Sequence, residues 1–276
     1  MNIKLIALDM DGTALKSDKT MSPKTVKTLR AAAAKGIWIV PSTGRMRQMI
    51  PQPMLDVGSI RYAITSNGAS VVDLEEDRIL YSNQMTEDQT NQIIDFLMPY
   101  HVLVEAYSQG NSYVDKEHSG LLPTFRDYPK ILMDLILKYQ IFVENLPQYL
   151  KSNHMCLEKI NIPFMEPDVH DELVKRLGEM KEFSITSSFN NNIEINSVST
   201  SKGDALSHLC ELLGISAGEV MAFGDERNDL QMLEFAGCGV AMANGHESVK
   251  QIADYVTRPN DEDGIAYALK KFLDIR

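Results

Sequence analysis

Short apolar runs that end in polar turns recur along the first part of the chain. Residues 3–8 are almost continuously apolar and lead into residues 9–13 (DMDGT), and residues 37–40 lead into residues 41–45 (PSTGR). Residues 62–65 form a third run, which is followed by SNGA. A short apolar run bounded by turn residues predicts a strand buried on both faces. We therefore predict three buried strands here, each followed by a polar loop.

The segment between the first two strands predicts a helix of about three to four turns. Ser22 suits the capping position, Pro23 the first helical position and Gly36 the stop after the helix. Val26 and Leu29 fall on one apolar face of this helix. Strands that alternate with helices imply a parallel sheet, in which functional loops lie at the carboxyl ends of the strands.

The pattern changes in the middle of the chain. Residues 86–89 (TEDQ) match a capping box and predict the start of a helix, and residues 102–107 and 112–115 alternate like partly exposed strands. Further elements predicted here are a helix and a strand, over residues 168–180 and 183–187. We interpret this block as a separate α+β unit.

The alternation of strands and helices resumes in the last third of the chain. Apolar runs and helical periodicity predict strands at residues 193–195, 220–223 and 240–242, and helices over residues 202–213, near Leu230 and from about residue 262. The predicted fold class is therefore α/β, with a doubly wound, Rossmann-like parallel sheet. Residues 1–84 and 190–276 would form this core, and residues 85–189 would be inserted into it.

Composition changes the picture mainly by exclusion. The chain has 276 residues, with 27 Lys and Arg against 38 Asp and Glu, and a formal net charge of -11. This charge has the wrong sign for a protein that binds nucleic acid by neutralising phosphates, so we predict no nucleic-acid partner. A small phosphate ester stays compatible with an acidic protein, because a bound metal or a cluster of donors can hold a phosphate locally.

The cysteines and the apolar runs bear on location. Cys156, Cys210 and Cys238 are odd in number and have no CxxC spacing, which argues against a disulfide framework and a structural zinc site. No apolar run approaches the roughly 18 residues of a membrane span, and Asp9 and Asp11 interrupt the first run. We expect a cytoplasmic protein with no membrane partner.

Four separate loops carry groups suited to phosphoryl transfer. In the first, the Asp9 carboxylate can act as a nucleophile toward phosphorus, and Asp11 can act as general acid and base. The second loop, residues 42–45, offers hydroxyls and backbone N–H groups ahead of an expected helix. In the third, Lys202 begins a helix against the preference of the helix dipole. Taken alone, each loop also fits an ordinary turn, cap or surface side chain.

The fourth loop, residues 224–229 (GDERND), is dense in oxygen ligands. Mg²⁺ binds through one or two carboxylates and keeps several waters, so this loop suits magnesium. Four carboxylates that met at the carboxyl edge of the sheet would need a cation to stay ionised together, and the candidates are Asp9, Asp11, Asp225 and Asp229. A solvated acidic loop would not explain why the other loops share that edge.

Together these loops resemble the motifs of the haloacid dehalogenase (HAD) superfamily, and in particular its Cof-type sugar-phosphatase branch, subfamily IIB. The matching segments are DMDGT for the DxDGT motif, STGR for the second motif, SKGDAL at residues 201–206 for the lysine motif, and GDERND for the GDxxND motif. Residues 67–69 (NGA) and 240–245 (VAMANG) are similar to further segments of the branch, with Gly245 where alanine is usual. The resemblance covers nearly the whole chain, and it implies a HAD-like core with a C2B-type cap at residues 85–189.

The resemblance implies a role for each matching residue. Asp9 would form an aspartyl-phosphate, and Asp11 would protonate the leaving alcohol and then activate water. Thr43 and Lys202 would hold and neutralise the transferring phosphoryl group. The residues implied around the substrate phosphate are Met10, Gly12, Thr13, Gly44, Arg45, Asn67, Asn228 and Asn244.

The resemblance also implies a magnesium site. Mg²⁺ would be bound by the Asp9 carboxylate, the Asp11 backbone carbonyl and Asp225. Asp229 and Asn228 would orient metal-bound water or neighbouring loops.

The expected function is that of a Mg²⁺-dependent phosphomonoester hydrolase acting on small phosphorylated metabolites, sugar phosphates foremost. The alternatives are a phosphomutase of the same superfamily, a non-catalytic phosphate-binding protein and a receiver-like signalling protein. Signalling receivers have no acid/base aspartate two residues after the acceptor, whereas this chain has Asp11 there. Hexose phosphates, other sugar phosphates, flavin mononucleotide and pyridoxal phosphate stay open as substrates, and so does the oligomeric state. Candidates for contacting the leaving group are Tyr107, Tyr113, His118, Arg126 and His154, and the sequence does not choose among them.

Overall fold

The computed structural model describes residues 1–58, 60–124, 137–187 and 192–275. Over this part, the chain forms two compact units, one built from Met1–Ser82 with Ser201–Arg276 and the other from Asn83–Thr200. We call them the core unit and the inserted unit. Among the described residues, no helix combines the length and the apolarity that crossing a membrane requires.

Both units contain strands and helices. The described strands are β1 (Leu5–Leu8), β2 (Trp38–Pro41), β3 (Tyr62–Thr65), β4 (Ser70–Asp73), β5 (Arg78–Ser82), β6 (Glu105–Ser108), β7 (Asn111–Asp115), β8 (Gln140–Val143), β9 (Lys159–Ile162), β10 (Phe183–Thr186), β11 (Ile193–Ser197), β12 (Val220–Gly224), β13 (Cys238–Ala241) and β14 (Tyr255–Val256). The described α-helices are α1 (Pro23–Ala34), α2 (Gln52–Leu55), α3 (Glu87–Leu97), α4 (Leu146–Ser152), α5 (Pro167–Leu177), α6 (Lys202–Leu213), α7 (Leu230–Phe235), α8 (Glu247–Ile252) and α9 (Gly264–Leu273).

A parallel sheet forms the centre of the core unit, which confirms the predicted α/β fold. Its strand order is β14-β13-β12-β1-β2, with Leu5 of β1 opposite Trp38 of β2 and Val220 of β12. Every residue of β1 is buried, as expected for a strand covered on both faces. Because these strands are parallel, their carboxyl ends lie along one edge, and the loops that carry Asp9 and Asp225 begin there.

The third predicted strand lies in a different kind of sheet from the one expected. β3 pairs antiparallel with β4, which pairs antiparallel with β5, and a parallel bridge between Ser42 and Ile64 joins β3 to the end of β2. The chain reverses through residues 66–68, where Asn67 and Gly68 have φ angles of 60° and 99°. This tight reversal places β4 directly beside β3, so a hairpin forms instead of a helical crossover.

Local sequence signals predict the core helices well, with one exception. Ser22 caps α1 by accepting the N–H of Thr25, and α6 spans the residues that the sequence predicts. After the loop at residues 42–45, however, the expected helix is short and interrupted: a 3₁₀ helix at Arg47–Met49 comes first and α2 follows it. Pro51 explains the interruption, because a proline inside a helix removes a backbone donor and clashes with the preceding turn.

A mixed sheet with helices on one face makes up the inserted unit. The strand order is β10-β11-β9-β6-β7-β8, and β7 and β8 are parallel while the other neighbours are antiparallel. One face of the sheet packs its apolar side chains, among them Ile160 and Ile195, into a core with Ile93 of α3 and Leu173 of α5. Thr86 and Gln89 form the predicted capping box at the start of α3.

The inserted unit is longer than the sequence suggested. The run at residues 193–195 is β11, which pairs with β9 and β10 of the inserted unit, so its expected place in the core sheet is wrong. The unit accordingly ends at Thr200 and not at residue 189. Ile193 and Ile195 fit either sheet by hydrophobicity alone, and an apolar run does not identify the strand beside it.

Candidate active site

The four chemical loops of the sequence lie in the core unit, and three of them follow the carboxyl ends of neighbouring strands of its parallel sheet. Asp9 follows β1, Thr43 lies just after β2, and Asp225 follows β12 directly. Lys202 is the first residue of α6, whose cap Ser201 accepts the N–H of Asp204 at 3.0 Å. The parallel register of the sheet brings these ends to one edge, as the sequence predicts.

Lys202 lies at the centre of this edge and is completely buried. Its Nζ donates to Asp9 Oδ1 and to Asp229 Oδ1, at 2.6 Å in each case. Burial favours the neutral amine, but the carboxylates of Asp229 and Asp9 outweigh it and raise the pKa of Lys202 above its ordinary value. These two ion pairs explain how a lysine is held at a helix start that the dipole disfavours.

Three buried carboxylates surround this ammonium group. Asp9, Asp225 and Asp229 each offer an oxygen, and these oxygens lie within 4.8 Å of one another. Burial is the main cause that raises the pKa of Asp9 and of Asp225, and the negative charge of neighbouring carboxylates adds to it. One ammonium group does not neutralise three carboxylates, so the cluster favours an additional cation.

The donor set fits magnesium. Carboxylate oxygens are the ligands that Mg²⁺ prefers, and Asp9 and Asp225 each offer one to the cluster. Both carboxylate oxygens of Asp229 already accept hydrogen bonds. Its Oδ1 accepts from Lys202, and its Oδ2 accepts from the N–H groups of Asp225 and Glu226 at 2.9 and 3.0 Å. Thr13 Oγ1 also holds Asp225, donating to its Oδ1 at 2.6 Å.

Gly12 is required by the close approach of the first loop to Asp225. Its φ is +89°, which favours glycine, and a Cβ at this position would lie 2.1 Å from Asp225 Oδ2. The backbone of the DMDGT loop can therefore pass directly over the carboxylate, which no larger residue would permit.

Asp11 is held by two cations. Arg45 donates from Nε to Asp11 Oδ2 and from Nη2 to Oδ1, both at 2.7 Å, and Lys19 Nζ donates to Oδ1 at 2.9 Å. Although burial opposes ionisation, Arg45 and then Lys19 lower the pKa of Asp11 below its usual range. Sequence reasoning missed Lys19, since nothing in residues 16–20 marks it before the turn folds with a φ of 65° at this residue.

The second loop places the hydroxyl groups of Ser42 and Thr43 at the sheet edge where the carboxylate cluster lies. Thr43 is buried, and its Oγ1 accepts the N–H of Arg45 at 3.1 Å. Ser42 is buried too, and its Oγ has no hydrogen-bond partner among the described residues. Gly44, between Thr43 and Arg45, is partly exposed.

Three asparagines connect the loops of the site. Asn228 Nδ2 donates to Asn67 Oδ1 at 3.1 Å, which joins the fourth loop to the turn after β3. Asn244 Nδ2 donates to the carbonyl of Gly12 at 2.8 Å, which joins the loop after β13 to the first loop. Met10 differs from the other predicted residues, because its side chain is buried in the apolar core.

The five candidates for contacting the leaving group occupy different environments in the inserted unit. Tyr107 and Tyr113 lie on opposite faces of the sheet, and Tyr113 belongs to the apolar core. His118 is buried and His154 is exposed. Arg126 lies outside the described residues.

Comparison with known proteins identifies the family. Residues 6–269 match the model of the haloacid dehalogenase-like hydrolases. The chain is 32% identical over 277 residues to the 5-amino-6-(5-phospho-D-ribitylamino)uracil phosphatase YcsE of Bacillus subtilis (strain 168), an alignment that covers 99% of this chain and 97% of that protein.

Solved structures give the same result. A haloacid dehalogenase-like hydrolase from B. subtilis superposes with a TM-score of 0.85 and 29% identity, over 98% of this chain and 100% of that one. The HAD subclass IIB sugar phosphatase BT4131 superposes with a TM-score of 0.80 and 25% identity, over 98% of both chains. The chain therefore belongs to the haloacid dehalogenase-like hydrolases and is a phosphatase of their Cof type.

Proposed function

We propose that the chain is a Mg²⁺-dependent phosphomonoester hydrolase that forms an aspartyl-phosphate on Asp9. The observation that carries this proposal is the buried arrangement of Lys202 between Asp9 and Asp229, with Asp225 beside them. A carboxylate at a strand end is a competent nucleophile toward phosphorus, provided that positive charge offsets its repulsion from the phosphoryl oxygens. Lys202 supplies part of that charge.

The reaction divides between Asp9 and Asp11. An Asp9 oxygen attacks phosphorus while the ester P–O bond breaks, and Asp11 gives its proton to the leaving alcohol. Asp11 then accepts a proton from the water that attacks phosphorus, which frees Asp9 and releases phosphate. Arg45 and Lys19 favour the anionic form of Asp11, which suits the second step, so Asp11 must loosen these bonds and take up a proton before the first.

Other residues of the site would hold the phosphoryl group. The Lys202 ammonium and the Thr43 hydroxyl provide donors, and Ser42 Oγ is a buried hydroxyl with no partner among the described residues. We propose that the phosphate site also includes Met10, Gly12, Thr13, Gly44, Arg45, Asn67, Asn228 and Asn244. Met10 would contribute through its backbone, because its side chain packs in the core.

Asp9, the Asp11 carbonyl and Asp225 would hold Mg²⁺, which when bound supplies positive charge toward the phosphoryl oxygens. Asp229 would orient metal-bound water or the neighbouring loops, because both of its carboxylate oxygens already accept hydrogen bonds. Burial first, and then the negative charge of Asp9 and Asp229, raises the pKa of Asp225, and a bound cation would favour its ionised form, which supports its place as a ligand.

The names of two similar proteins support a proposal for the substrate class. One acts on a phosphoribitylaminouracil and a structural neighbour is a sugar phosphatase. We propose a small phosphorylated metabolite of this kind, hydrolysed in the cytoplasm. The inserted unit, rather than the core loops, would select among such esters, since the chemical loops all lie outside it.

Phosphate release from p-nitrophenyl phosphate and from a panel of phosphorylated metabolites tests the proposal. Asp9→Asn should reduce turnover to background while the thermal midpoint stays near that of the wild type, and the exposed Asp18→Asn should change neither. Excess EDTA should abolish turnover and added Mg²⁺ should restore it. Substantial turnover by Asp9→Asn would contradict the mechanism, and isomerisation without phosphate release, dependent on a bisphosphate, would identify a mutase.

The acid role of Asp11 has its own test. Asp11→Asn should slow the hydrolysis of sugar phosphates far more than that of p-nitrophenyl phosphate, because p-nitrophenolate leaves without needing a proton. Steady-state kinetics on both esters measures the difference. Equal losses on the two substrates would argue against proton donation by Asp11.

A further inference from the structure

Lys202 differs from the aspartates around it in how the fold fixes its position. Asp9 and Asp225 directly follow β1 and β12, so the hydrogen-bonded strands of the core sheet place both carboxylates. Lys202 is the first residue of α6, and its cap Ser201 is the first residue of the second chain segment of the core unit. The strand that precedes α6 is β11, which belongs to the sheet of the inserted unit. The position of Lys202 therefore depends on the contacts that the first turn of α6 makes within the core unit.

Two close backbone approaches hold this turn between neighbouring parts of the core unit. A Cβ on Gly68, in the turn after β3, would lie 2.0 Å from the carbonyl oxygen of Ser201. A Cβ on Gly203 would lie 2.5 Å from the carbonyl oxygen of Gln231 in α7. Glycine has no side-chain donor or acceptor, so these two contacts fix how closely the turn packs but form no directional side-chain bond.

A tyrosine of β5 supplies a directional bond to the same turn. Tyr81 Oη donates to Asp204 Oδ2 at 2.5 Å, and the N–H of Asp204 donates to Ser201 Oγ at 3.0 Å. The first bond joins the turn to β5 and the second closes the helix cap, so both end on one residue, which lies two positions after Lys202. A hydrogen bond to a carboxylate is shorter and stronger than one between neutral groups. Asp204 thereby links the start of α6 to β5.

The same helix orients the ring of Tyr81. Tyr81 and His208 stack with their ring centroids 4.1 Å apart and their planes inclined by 19°. His208 Nδ1 donates at 2.9 Å to the carbonyl of Asp204, one helical turn earlier. The imidazole is thus held on α6 and the phenol is held on the imidazole, which directs the hydroxyl of Tyr81 toward Asp204.

We infer that Tyr81 is a positioning residue for the reaction, because through Asp204 it holds the start of α6 where Lys202 Nζ reaches Asp9 Oδ1 at 2.6 Å. This role rests on the proposed function, in which Asp9 attacks phosphorus. Misplacement of a catalytic group by about 1 Å can reduce a rate by roughly two orders of magnitude, even when the mutation lies away from the reacting atoms. The effect of Tyr81 on the rate would pass through Asp204 and the position of Lys202.

Tyr81→Phe tests this role, because it removes the hydroxyl and keeps the ring that stacks on His208. With p-nitrophenyl phosphate as substrate, kcat should fall about three- to tenfold, the change in rate that one lost hydrogen bond represents. KM should stay within about twofold of the wild-type value, because the other loops that hold the phosphate are unchanged. The matched control is Tyr267→Phe, which removes the hydroxyl of a 37% exposed tyrosine in α9 and should change neither constant.

Changes at Asp204 separate positioning from general destabilisation. Asp204→Ala removes the acceptor and should lower kcat as much as Tyr81→Phe does. Asp204→Asn keeps a carbonyl oxygen for the tyrosine, so its kcat should stay within about twofold of the wild type. The double variant Tyr81→Phe/Asp204→Ala should be no slower than the slower single variant, since both changes break the same bond. Each assay is run at a temperature where the variant is folded, so a loss of stability alone would leave kcat unchanged.

The outcomes distinguish this role from the proposed function. If the wild type hydrolyses p-nitrophenyl phosphate and Tyr81→Phe keeps its kcat or changes KM alone, the positioning role fails and the phosphatase function stands. Losses of kcat that multiply in the double variant would also overturn the role. If Tyr81→Phe does not fold, the kcat values of Asp204→Asn and Asp204→Ala decide, and equal values reject the role. If the wild type hydrolyses no ester, the proposed function fails, and the role of Tyr81 with it.

Discussion

The buried lysine of the core unit is the most stringent point at which to test this structure. Lys202→Met removes an ammonium group from between two carboxylates, each 2.6 Å away, and keeps a side chain of similar length. Asp9, Asp225 and Asp229 are then left buried with no described ammonium among them. The change therefore isolates the charge of Lys202 from its volume.

The expected loss of stability is large. Removing one partner of a buried ion pair costs about 3–5 kcal/mol, because the remaining charge stays buried and uncompensated. For a domain of this size the thermal midpoint should fall by roughly 6–20 °C. Urea unfolding of the metal-free protein in EDTA, near neutral pH, measures the free energy directly, since a bound cation would mask part of the loss.

Two comparisons make the result interpretable. Lys4→Met removes an ammonium group 2.7 Å from Glu219, but Lys4 is 50% exposed, so its unfolding free energy should match that of the wild type within error. In the double variant, Asp229→Asn should restore part of the free energy of unfolding that Lys202→Met loses. The second change removes a buried charge and keeps an acceptor for the N–H of Asp225. A loss below about 1 kcal/mol in Lys202→Met would refute the reasoning.

Two further predictions concern the same site. Gly12→Ala and Gly36→Ala both place a side chain at positive φ, so both variants should lose stability. Only Gly12→Ala also brings a Cβ to within 2.1 Å of Asp225, so only this variant should lose phosphatase activity. In EDTA, the contribution of Asp9 and Asp225 to the free energy of unfolding should fall as pH rises above about 4. Burial first, and neighbouring carboxylates, raise both pKa values in the folded state, so the folded chain binds more protons than the unfolded one. Urea titrations at pH 5 and 8 should show a smaller fall in Asp225→Asn, and an identical fall would contradict the assignment.

The fold and the chemical loops were predictable where their signals are local. Consecutive residues predict a strand such as β1 and the loop that follows it. The parallel arrangement of the strands then brings separate loops to one edge of the sheet. The start of α6 at Lys202 is equally local, because Ser201 marks the cap. The sequence could therefore predict which loops meet without any knowledge of their distances.

Contacts that depend on tertiary placement were not predictable in the same way. The pairing of Lys19 with Asp11 depends on a turn in which Lys19 has a positive φ, and a lysine does not predict such a turn. β11 has the apolar residues of a core strand, and only its pairing with β9 assigns it to the inserted unit. In both cases several partners satisfy the local pattern equally, and the fold chooses one of them.

The buried polar side chains on the sheet of the inserted unit illustrate the same limit. Along β6, β9 and β11 polar and apolar residues alternate, which predicts a half-buried strand with its polar side in water. Alternation reports which residues share a face, but it carries no information about what covers that face. Burial of Glu105 and the unpaired hydroxyl of Ser112 become visible only in the folded chain. Candidate catalytic residues can thus be found from contiguous motifs, whereas the covering of a sheet face depends on tertiary packing that no local pattern records.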